Sequence, residues 1–248
     1  QKFYWRKNFF FYKFKYYLKS VNKIILALDT SNLEEAISIT QKIKNKIYTV
    51  KLGLEFFNAH GKEGVKRFNK IGIKNLMLDL KLKDIPATVY KAIKVLDDIE
   101  FGYLTIHGLG GKKMIIEAKK AAEEIKSKPK ILMVTVLTAL NDNDLKIMGN
   151  ENTVIKQVEQ LAKIAKEMEL GVVCSGYEAK IVRKILGSNL LIFTPGIRMN
   201  KDNNDDQKRV CTPQESINNG SDKIIMGRSL IFGNIEKNII EVSDSIKL

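Results

Sequence analysis

The sequence is poor in the residue types that build disulfide frameworks, zinc sites and membrane spans. Its 248 residues include two cysteines, two histidines and one tryptophan. Cys174 and Cys211 have neither zinc-ligand nor disulfide-framework spacing, and Cys174 lies in an apolar run, as a buried small hydrophobic residue does. No run reaches the roughly 18 apolar residues that a membrane span needs. These shortages argue against a disulfide-stapled domain and a transmembrane protein, and we expect a cytoplasmic protein.

The charge of the chain is strongly positive, but its distribution argues against a nucleic-acid partner. The formal net charge is +14, and residues 1–20 hold six basic and no acidic side chains. The remaining 228 residues carry 36 basic and 28 acidic side chains, a net charge of +8, with lysines scattered beside acids as on solvated helix faces. We therefore predict neither a nucleic-acid nor a membrane partner, although the positive field would help to collect an anionic substrate.

Residues 1–20 differ from the rest of the chain and hold ten of its twenty aromatic residues. We predict that they form an extension of unknown role outside the catalytic unit. A basic aromatic stretch could instead contact a membrane surface or nucleic acid. No linker divides residues 21–248, and we predict that they form a single domain.

Eight short apolar or β-branched runs follow residue 20, and amphipathic stretches lie between them. Such runs indicate strands buried on both faces of a parallel sheet. They cover residues 23–29, 47–53, 74–79, 102–107, 130–136, 171–175, 190–194 and 222–227. Eight strand–helix repeats in about 225 residues predict a (β/α)8 TIM barrel. The alternative, a doubly wound open sheet, normally has fewer strands and a glycine-rich first turn, whereas the turn after Asp29 has no glycine.

The most informative stretch runs from Asp79 to Thr88 and follows the third predicted strand. It places Asp79, Lys81 and Asp84 within six residues. Alternate residues of a strand share a face, so Asp79 and Lys81 are expected to point the same way. Burying such charges is costly unless they pair. The stretch therefore predicts the floor of a site, at the barrel end where chemistry collects.

Other predicted strands also end in polar residues. Gly227 and Arg228 follow the last strand, where backbone N–H groups and a guanidinium suit an anion such as phosphate.

His107 could act as a general acid or base, but we favour a packing role because lysine and aspartate already supply proton chemistry. His60 is interpreted as non-catalytic. The glycines at 108, 110 and 111 are not followed by the Lys-Ser/Thr pair of a P-loop and predict a turn.

Together these motifs resemble the orotidine 5'-phosphate decarboxylase family, in its bacterial-type branch, over about residues 22–236. Ala139 stands where many relatives have serine. The resemblance lies in the following motifs: Ala27-Leu-Asp29, Val50-Lys51-Leu-Gly53, the stretch Asp79 to Val89, Val134-Thr-Val-Leu-Thr138, Thr194-Pro195-Gly-Ile-Arg198, Asp206-Gln207 and Ile225-Met-Gly227-Arg228-Ser.

The resemblance implies decarboxylation of orotidine 5'-monophosphate to UMP in de novo pyrimidine biosynthesis, without metal or cofactor. It implies that Lys81 protonates C6 of the pyrimidine within an alternating network with Lys51, Asp79 and Asp84. Because no cofactor motif offers an electron sink, a fixed cation would have to stabilise the carbanion. The resemblance also implies a homodimer, in which Asp84, Ile85 and Thr88 reach into the partner's site.

The remaining substrate contacts are likewise implied by the resemblance. Asp29 and Lys51 hold the ribose region, and Thr138 and Gln207 contact the base or close over it. The 5'-phosphate is held by Arg198, Gly227 and Arg228, with Gln207 nearby, and Pro195 belongs to the same binding set. The polar stretch 198–209 is expected to form a flexible lid.

Two alternative functions follow from other features of the sequence. A sister group of Mg²⁺-dependent decarboxylases and synthases shares the barrel and a similar Asp-x-Lys-x-x-Asp motif. Its members resemble one another in a glutamate metal ligand at the position of Lys51, where a cation would repel the metal. A basic binding protein is the second alternative, and it predicts binding that collapses with added salt.

Overall fold

A computed structural model describes residues 17–199 and 210–247, and in it eight parallel strands close into a barrel in chain order. Each strand pairs with the next, and β1 also pairs with β8. The strands are β1 (Ile24–Leu28), β2 (Thr49–Gly53), β3 (Asn75–Leu82), β4 (Tyr103–His107), β5 (Lys130–Val134), β6 (Gly171–Val173), β7 (Ile192–Thr194) and β8 (Lys223–Met226). The (β/α)8 prediction is confirmed, and each predicted run overlaps one strand.

Helices connect the strands and cover the outside of the barrel. Those described are α1 (Leu33–Ile43), α2 (Leu54–Ile71), α3 (Pro86–Lys94), α4 (Lys112–Glu124), α5 (Asp142–Ile147), α6 (Val154–Glu167), α7 (Ala179–Leu186), α8 (Pro213–Asn218), α9 (Arg228–Ile231) and α10 (Ile235–Ser245). Their starts follow local capping chemistry: the Asn32 side chain accepts from the Glu35 N–H at the start of α1. None of the described helices is long and apolar enough to cross a bilayer.

Two apolar clusters hold the barrel together. One fills its interior and includes Ile25, Met77, Leu132 and Phe193. The other lies between the strands and the surrounding helices, so each strand is buried on both faces. The filled interior means that the barrel has no pore, and a ligand can enter only at a mouth.

Residues 17–21 are helical and pack against the barrel. Tyr17 lies against the outer cluster, and the Ser20 hydroxyl is 2.7 Å from that of Ser243 in α10. The predicted boundary after residue 20 falls within these helical residues. Residues 1–16 lie outside the described part, so the division into extension and domain stays a prediction.

The pairing of β3 with β4 is interrupted beside the charged stretch. Leu78 pairs with Leu104 and Leu82 with Ile106, so residues 79–81 of β3 lie opposite Thr105 alone. Lys81 has a φ of 47°, in the left-handed region that few non-glycine residues adopt. The strand β3 continues past this irregularity to Leu82, beyond its predicted end at Asp79.

Arg183 of α7 forms hydrogen bonds and an ion pair with the loops that precede β7 and β8. Its guanidinium donates to the carbonyls of Gly187 (2.6 Å), Leu190 (2.8 Å) and Gly220 (2.8 Å), and it pairs with Asp222. We expect Arg183→Met to lower the free energy of unfolding by about 2–4 kcal/mol, because it leaves several acceptors without a donor. Urea denaturation measures the change.

Arg67→Met is the matched control for this prediction. Its guanidinium pairs with Glu34 at 2.7 Å, but both side chains are largely exposed. Losing an exposed pair costs about 0–1 kcal/mol. Equal losses in the two variants would contradict the structural role of Arg183.

Candidate active site

A cavity of about 450 Å³ opens at the C-terminal ends of the strands. Polar side chains line one part of it, and apolar side chains from the barrel strands form the rest. The lining includes nine of the predicted site residues: Asp29, Lys51, Asp79, Lys81, Thr138, Pro195, Arg198, Gly227 and Arg228. Its apolar part includes Ala27, Val134, Val173 and Ile225. The size and mixed lining suit a small polar ligand with a flat apolar portion.

Four charged side chains alternate in sign along the cavity. Lys51 Nζ lies 3.1 Å from Asp29 Oδ1 and 3.2 Å from Asp79 Oδ2. The other oxygen of Asp79, Oδ1, lies 2.9 Å from Lys81 Nζ. The order is therefore Asp29, Lys51, Asp79, Lys81, and each inner charge has an opposite charge on both sides.

Gly53 makes room for this charged row. A Cβ atom at that position would stand 3.0 Å from Asp29 Oδ1 and 3.3 Å from Lys51 Nζ. A larger residue would therefore push the Asp29–Lys51 pair apart. Glycine at this position lets Asp29 and Lys51 approach the backbone at the end of β2. In the sequence, Gly53 stood out only as a member of the motif Val50-Lys51-Leu-Gly53.

The inner two charges are deeply buried and keep their ionised forms. Burial is the largest effect on Lys51 and disfavours its ammonium, but Asp79 and Asp29 outweigh it and raise the pKa of Lys51. Burial is also the largest effect on Asp79, but Lys51, Lys81 and a hydrogen bond from Thr105 outweigh it and lower the pKa of Asp79. The row is thus preorganised as fixed charges before any ligand is present.

Lys81 is the lysine of the row that is more open to the cavity. Its side chain is 32% exposed, against 9% for Lys51, and the outer carboxylate, Asp29, is 60% exposed. An ammonium held on one side by a buried carboxylate and open on the other can both attract negative charge and give up a proton.

Thr105 of β4 is a member of the site that the sequence analysis did not find. Its hydroxyl donates to Asp79 Oδ1 at 2.9 Å and accepts from the Lys81 backbone N–H at 2.9 Å. Threonine is common in strands, so a single threonine in the run Tyr-Leu-Thr-Ile-His carries no signal by itself.

The loops after β7 and β8 bring two guanidinium groups to the cavity. Arg198 follows β7, and Arg228 begins α9 directly after Gly227. A Cβ at Gly227 would stand 3.3 Å from the Ala27 carbonyl oxygen, so glycine permits the close approach of the β8 and β1 ends. Two arginines at one cavity suit a dianionic group such as phosphate.

Three predicted site residues lie outside this cavity. Asp84, Ile85 and Thr88 are exposed, at the start of α3. Asp84 Oδ1 accepts from the Ile85 N–H at 2.6 Å, and within the described residues Asp84 forms no ion pair. Gln207 and nearly all of the predicted lid lie outside the described residues.

The two histidines make local contacts. His107 Nδ1 accepts from the Leu109 N–H at 3.3 Å, and residues 108–110 form a short 3-10 turn. Burial, with Lys83 and Lys81 nearby, lowers the pKa of His107. His60 lies in α2, with Nε2 2.7 Å from the Ser31 carbonyl oxygen. The packing role of His107 and the non-catalytic role of His60 stay predictions.

The described residues contain no group of three or more His, Cys, Asp or Glu side chains arranged to hold a metal ion. The charged partners of Asp29 and Asp79 are the lysine ammonium groups. The carboxylates of the cavity are thus already neutralised by side chains of the protein.

Charged side chains gathered at the C-terminal mouth of a (β/α)8 barrel, with arginines after the last two strands, are typical of barrel enzymes that act on phosphorylated substrates. Within that class, the chain belongs to the orotidine 5'-phosphate decarboxylase / HUMPS family, whose family model matches residues 22–235.

Individual relatives are similar over most of the chain. An orotidine 5'-phosphate decarboxylase of Wolbachia pipientis subsp. Culex pipiens is 46% identical over 85% of this chain and 92% of its own length. That of Ehrlichia canis is 43% identical over 84% and 90%. The crystal structure of orotidine 5'-phosphate decarboxylase from Lactobacillus acidophilus matches with a TM-score of 0.79 and 31% identity, covering 92% of this chain and all of that one.

Proposed function

We propose that the protein decarboxylates orotidine 5'-monophosphate to UMP, a step of de novo pyrimidine biosynthesis, without metal or cofactor. The observation that carries the proposal is the alternating row from Asp29 to Lys81, which ends in a cavity-facing ammonium. Membership of the family and the names of its similar relatives support the same reaction.

The chemistry requires a cation beside C6 of the pyrimidine. When the bond from C6 to the carboxylate breaks, CO2 leaves and its bonding electron pair stays on C6. The Lys81 ammonium stabilises that charge and transfers a proton from Nζ to C6, and water then restores its proton. Asp79, held by Lys51 on its other oxygen, keeps the ammonium in place.

The phosphate and ribose contacts hold the rest of the nucleotide. Arg198, Gly227 and Arg228 bind the 5'-phosphate, and Asp29 and Lys51 bind the ribose. Thr138, Pro195 and Gln207 contact the remainder, with Gln207 closing over the ligand. Binding energy from the phosphate, far from C6, thereby orders the reacting groups.

The alternative function is that of the HUMPS branch of the family, the sister group whose members use Mg²⁺. Its glutamate ligand would stand at the position of Lys51, whose side chain is 9% exposed and paired with two aspartates. A buried ammonium at that position repels a divalent cation, and its partners are not free to bind one. The row of charges therefore favours the decarboxylase over the Mg²⁺ enzymes.

A direct test follows the ultraviolet absorbance of orotidine monophosphate with purified protein in EDTA. We expect turnover at the same rate with EDTA and with added Mg²⁺, because the protein's own lysine supplies the positive charge. Turnover that is lost in EDTA and restored by Mg²⁺ would favour the HUMPS branch. No turnover under either condition would overturn the proposal.

We also propose that the active unit is a homodimer with shared sites. Asp84, Ile85 and Thr88 are exposed on one chain, and Ile85 is 66% exposed although it is large and apolar. Other exposed apolar residues follow the C-terminal ends of β2, β4 and β5: Leu54, Leu109, Leu137, Ile147 and Met148. An apolar rim of this kind suits a second copy of the chain, which would bring Asp84 to the Lys81 of its partner.

The remaining expectations complete the proposal. We place the protein in the cytoplasm, in keeping with its free cysteines Cys174 and Cys211. Residues 21–248 form the catalytic domain and residues 1–20 an extension of unknown role. We expect no nucleic-acid or membrane partner, and salt-tolerant turnover would support this.

A further inference from the structure

The irregular pairing of β3 and β4 leaves the Lys81 backbone N–H without a carbonyl acceptor in the ladder, and the Thr105 side chain accepts its hydrogen bond instead. Three residues of β3, from Asp79 to Lys81, lie opposite the single residue Thr105 of β4. The regular ladder is lost there, so the Lys81 N–H cannot pair with a β4 carbonyl in register. A buried N–H without a partner is strongly disfavoured, and here it donates to the Thr105 hydroxyl at 2.9 Å.

That bond fixes the direction of the hydroxyl proton. A hydroxyl has one proton to donate, and its oxygen receives the Lys81 N–H. The proton is then directed at the remaining neighbour, Asp79 Oδ1, at 2.9 Å. Thr105 is fully buried and does not line the cavity, so neither substrate nor bulk water competes for this arrangement.

The contacts close into a ring that includes both ends of Lys81. Its backbone N–H donates to Thr105, Thr105 donates to Asp79 Oδ1, and the same oxygen accepts from the Lys81 ammonium at 2.9 Å. The Lys81 backbone stands at a φ of 47°, a conformation that needs support from its surroundings. One hydroxyl therefore holds the backbone of Lys81 and the carboxylate that orients its ammonium.

We propose that Thr105 is a positioning residue for the reaction, which sets the Lys81 ammonium toward the reacting carbon by holding the Lys81 backbone and Asp79 together. This inference rests on the proposed function, since it assigns to Thr105 a role in the proton transfer from Lys81. Thr105 touches no substrate, and its effect is exerted through the other two residues.

Replacement of the hydroxyl tests the proposal. We expect Thr105→Val to lower kcat for orotidine monophosphate by about 10- to 100-fold, with KM changed by less than about 3-fold. The Kd for UMP, measured by calorimetry, should stay near the wild-type value because the phosphate and ribose contacts are untouched. Thr105→Ser keeps the hydroxyl and should restore most of kcat, whereas Thr105→Ala should resemble valine.

Thr135→Val is the matched control. Thr135 is also fully buried at a strand end, and its hydroxyl donates to the Val173 carbonyl at 3.2 Å. That carbonyl also accepts the Thr135 backbone N–H at 3.1 Å, so it keeps a partner when the hydroxyl is removed. We expect this variant to retain the wild-type kcat, and thermal melting of all variants separates loss of folding from loss of function.

Each outcome decides between the proposals. Wild-type kcat in Thr105→Val, or equal kcat in the serine and alanine variants, would overturn the role of Thr105 while leaving the proposed reaction intact. If the valine variant does not fold, the serine and alanine variants, which differ from each other only in the hydroxyl, decide the question. A wild-type protein without turnover would overturn the proposed function and this inference with it.

Discussion

Lys81→Ala is expected to lower kcat for orotidine monophosphate by about 10⁴-fold or more, because in the proposed mechanism this side chain supplies both the charge that stabilises the carbanion and the proton that quenches it. The Asp79 carboxylate would also lose one of its two ammonium partners, at 2.9 Å, and would repel the substrate carboxylate more strongly. UMP lacks that carboxylate and is proposed to be held by its phosphate and ribose, so its Kd should change little.

The measurement combines the absorbance assay with calorimetric titration of UMP. Lys91→Ala is a suitable control, since Lys91 is an exposed lysine of α3 that does not line the cavity. It should keep wild-type kcat. Full turnover in the Lys81 variant would remove this lysine from the mechanism.

Mixing two inactive variants should restore activity if the sites are shared between subunits. In a dimer of Lys81→Ala with Asp84→Ala, one site has both defects and the other has neither. Random exchange at equal concentrations makes half of the dimers mixed, so about 25% of wild-type activity is expected. The physical reason is that Asp84 projects from its own chain without reaching the Asp79–Lys81 pair.

A second mixture serves as the negative control. Asp79 and Lys81 of one chain are in contact, so Lys81→Ala mixed with Asp79→Ala leaves every site defective. Differently tagged chains allow mixed dimers to be isolated before assay. Isolated Lys81→Ala/Asp84→Ala dimers without activity would reject the shared site, as would a chain that remains monomeric.

Much of the fold was predictable because strands buried on both faces consist of nearly continuous apolar runs, which can be recognised locally in the sequence. The apolar runs that became β1 to β8 were all recognised, although their ends were shifted by one or more residues. The amphipathic pattern does not indicate the short helices α5 and α8. Both begin with a capping box, at Asn141 and Thr212, but are too short for a clear apolar periodicity.

The candidate site was predictable where its residues are close in sequence. Asp79 and Lys81 were expected to share a face, and they form an ion pair. The reason differs from the one predicted, because Lys81 does not continue a regular strand but turns at a φ of 47°. The contact with Lys51 depended on the neighbouring position of β2 in the closed barrel.

The sequence alone determined that the chain forms a parallel barrel and that charges lie at the C-terminal ends of its strands. Both features depend on which residue types follow one another along the chain. Tertiary structure decided which of those charges meet and what holds them. Thr105 lies 24 residues from Lys81, and only the altered register of β3 against β4 brings its hydroxyl to that backbone. This shift is an irregularity in the pairing of two strands, and the sequence of either strand alone does not show it.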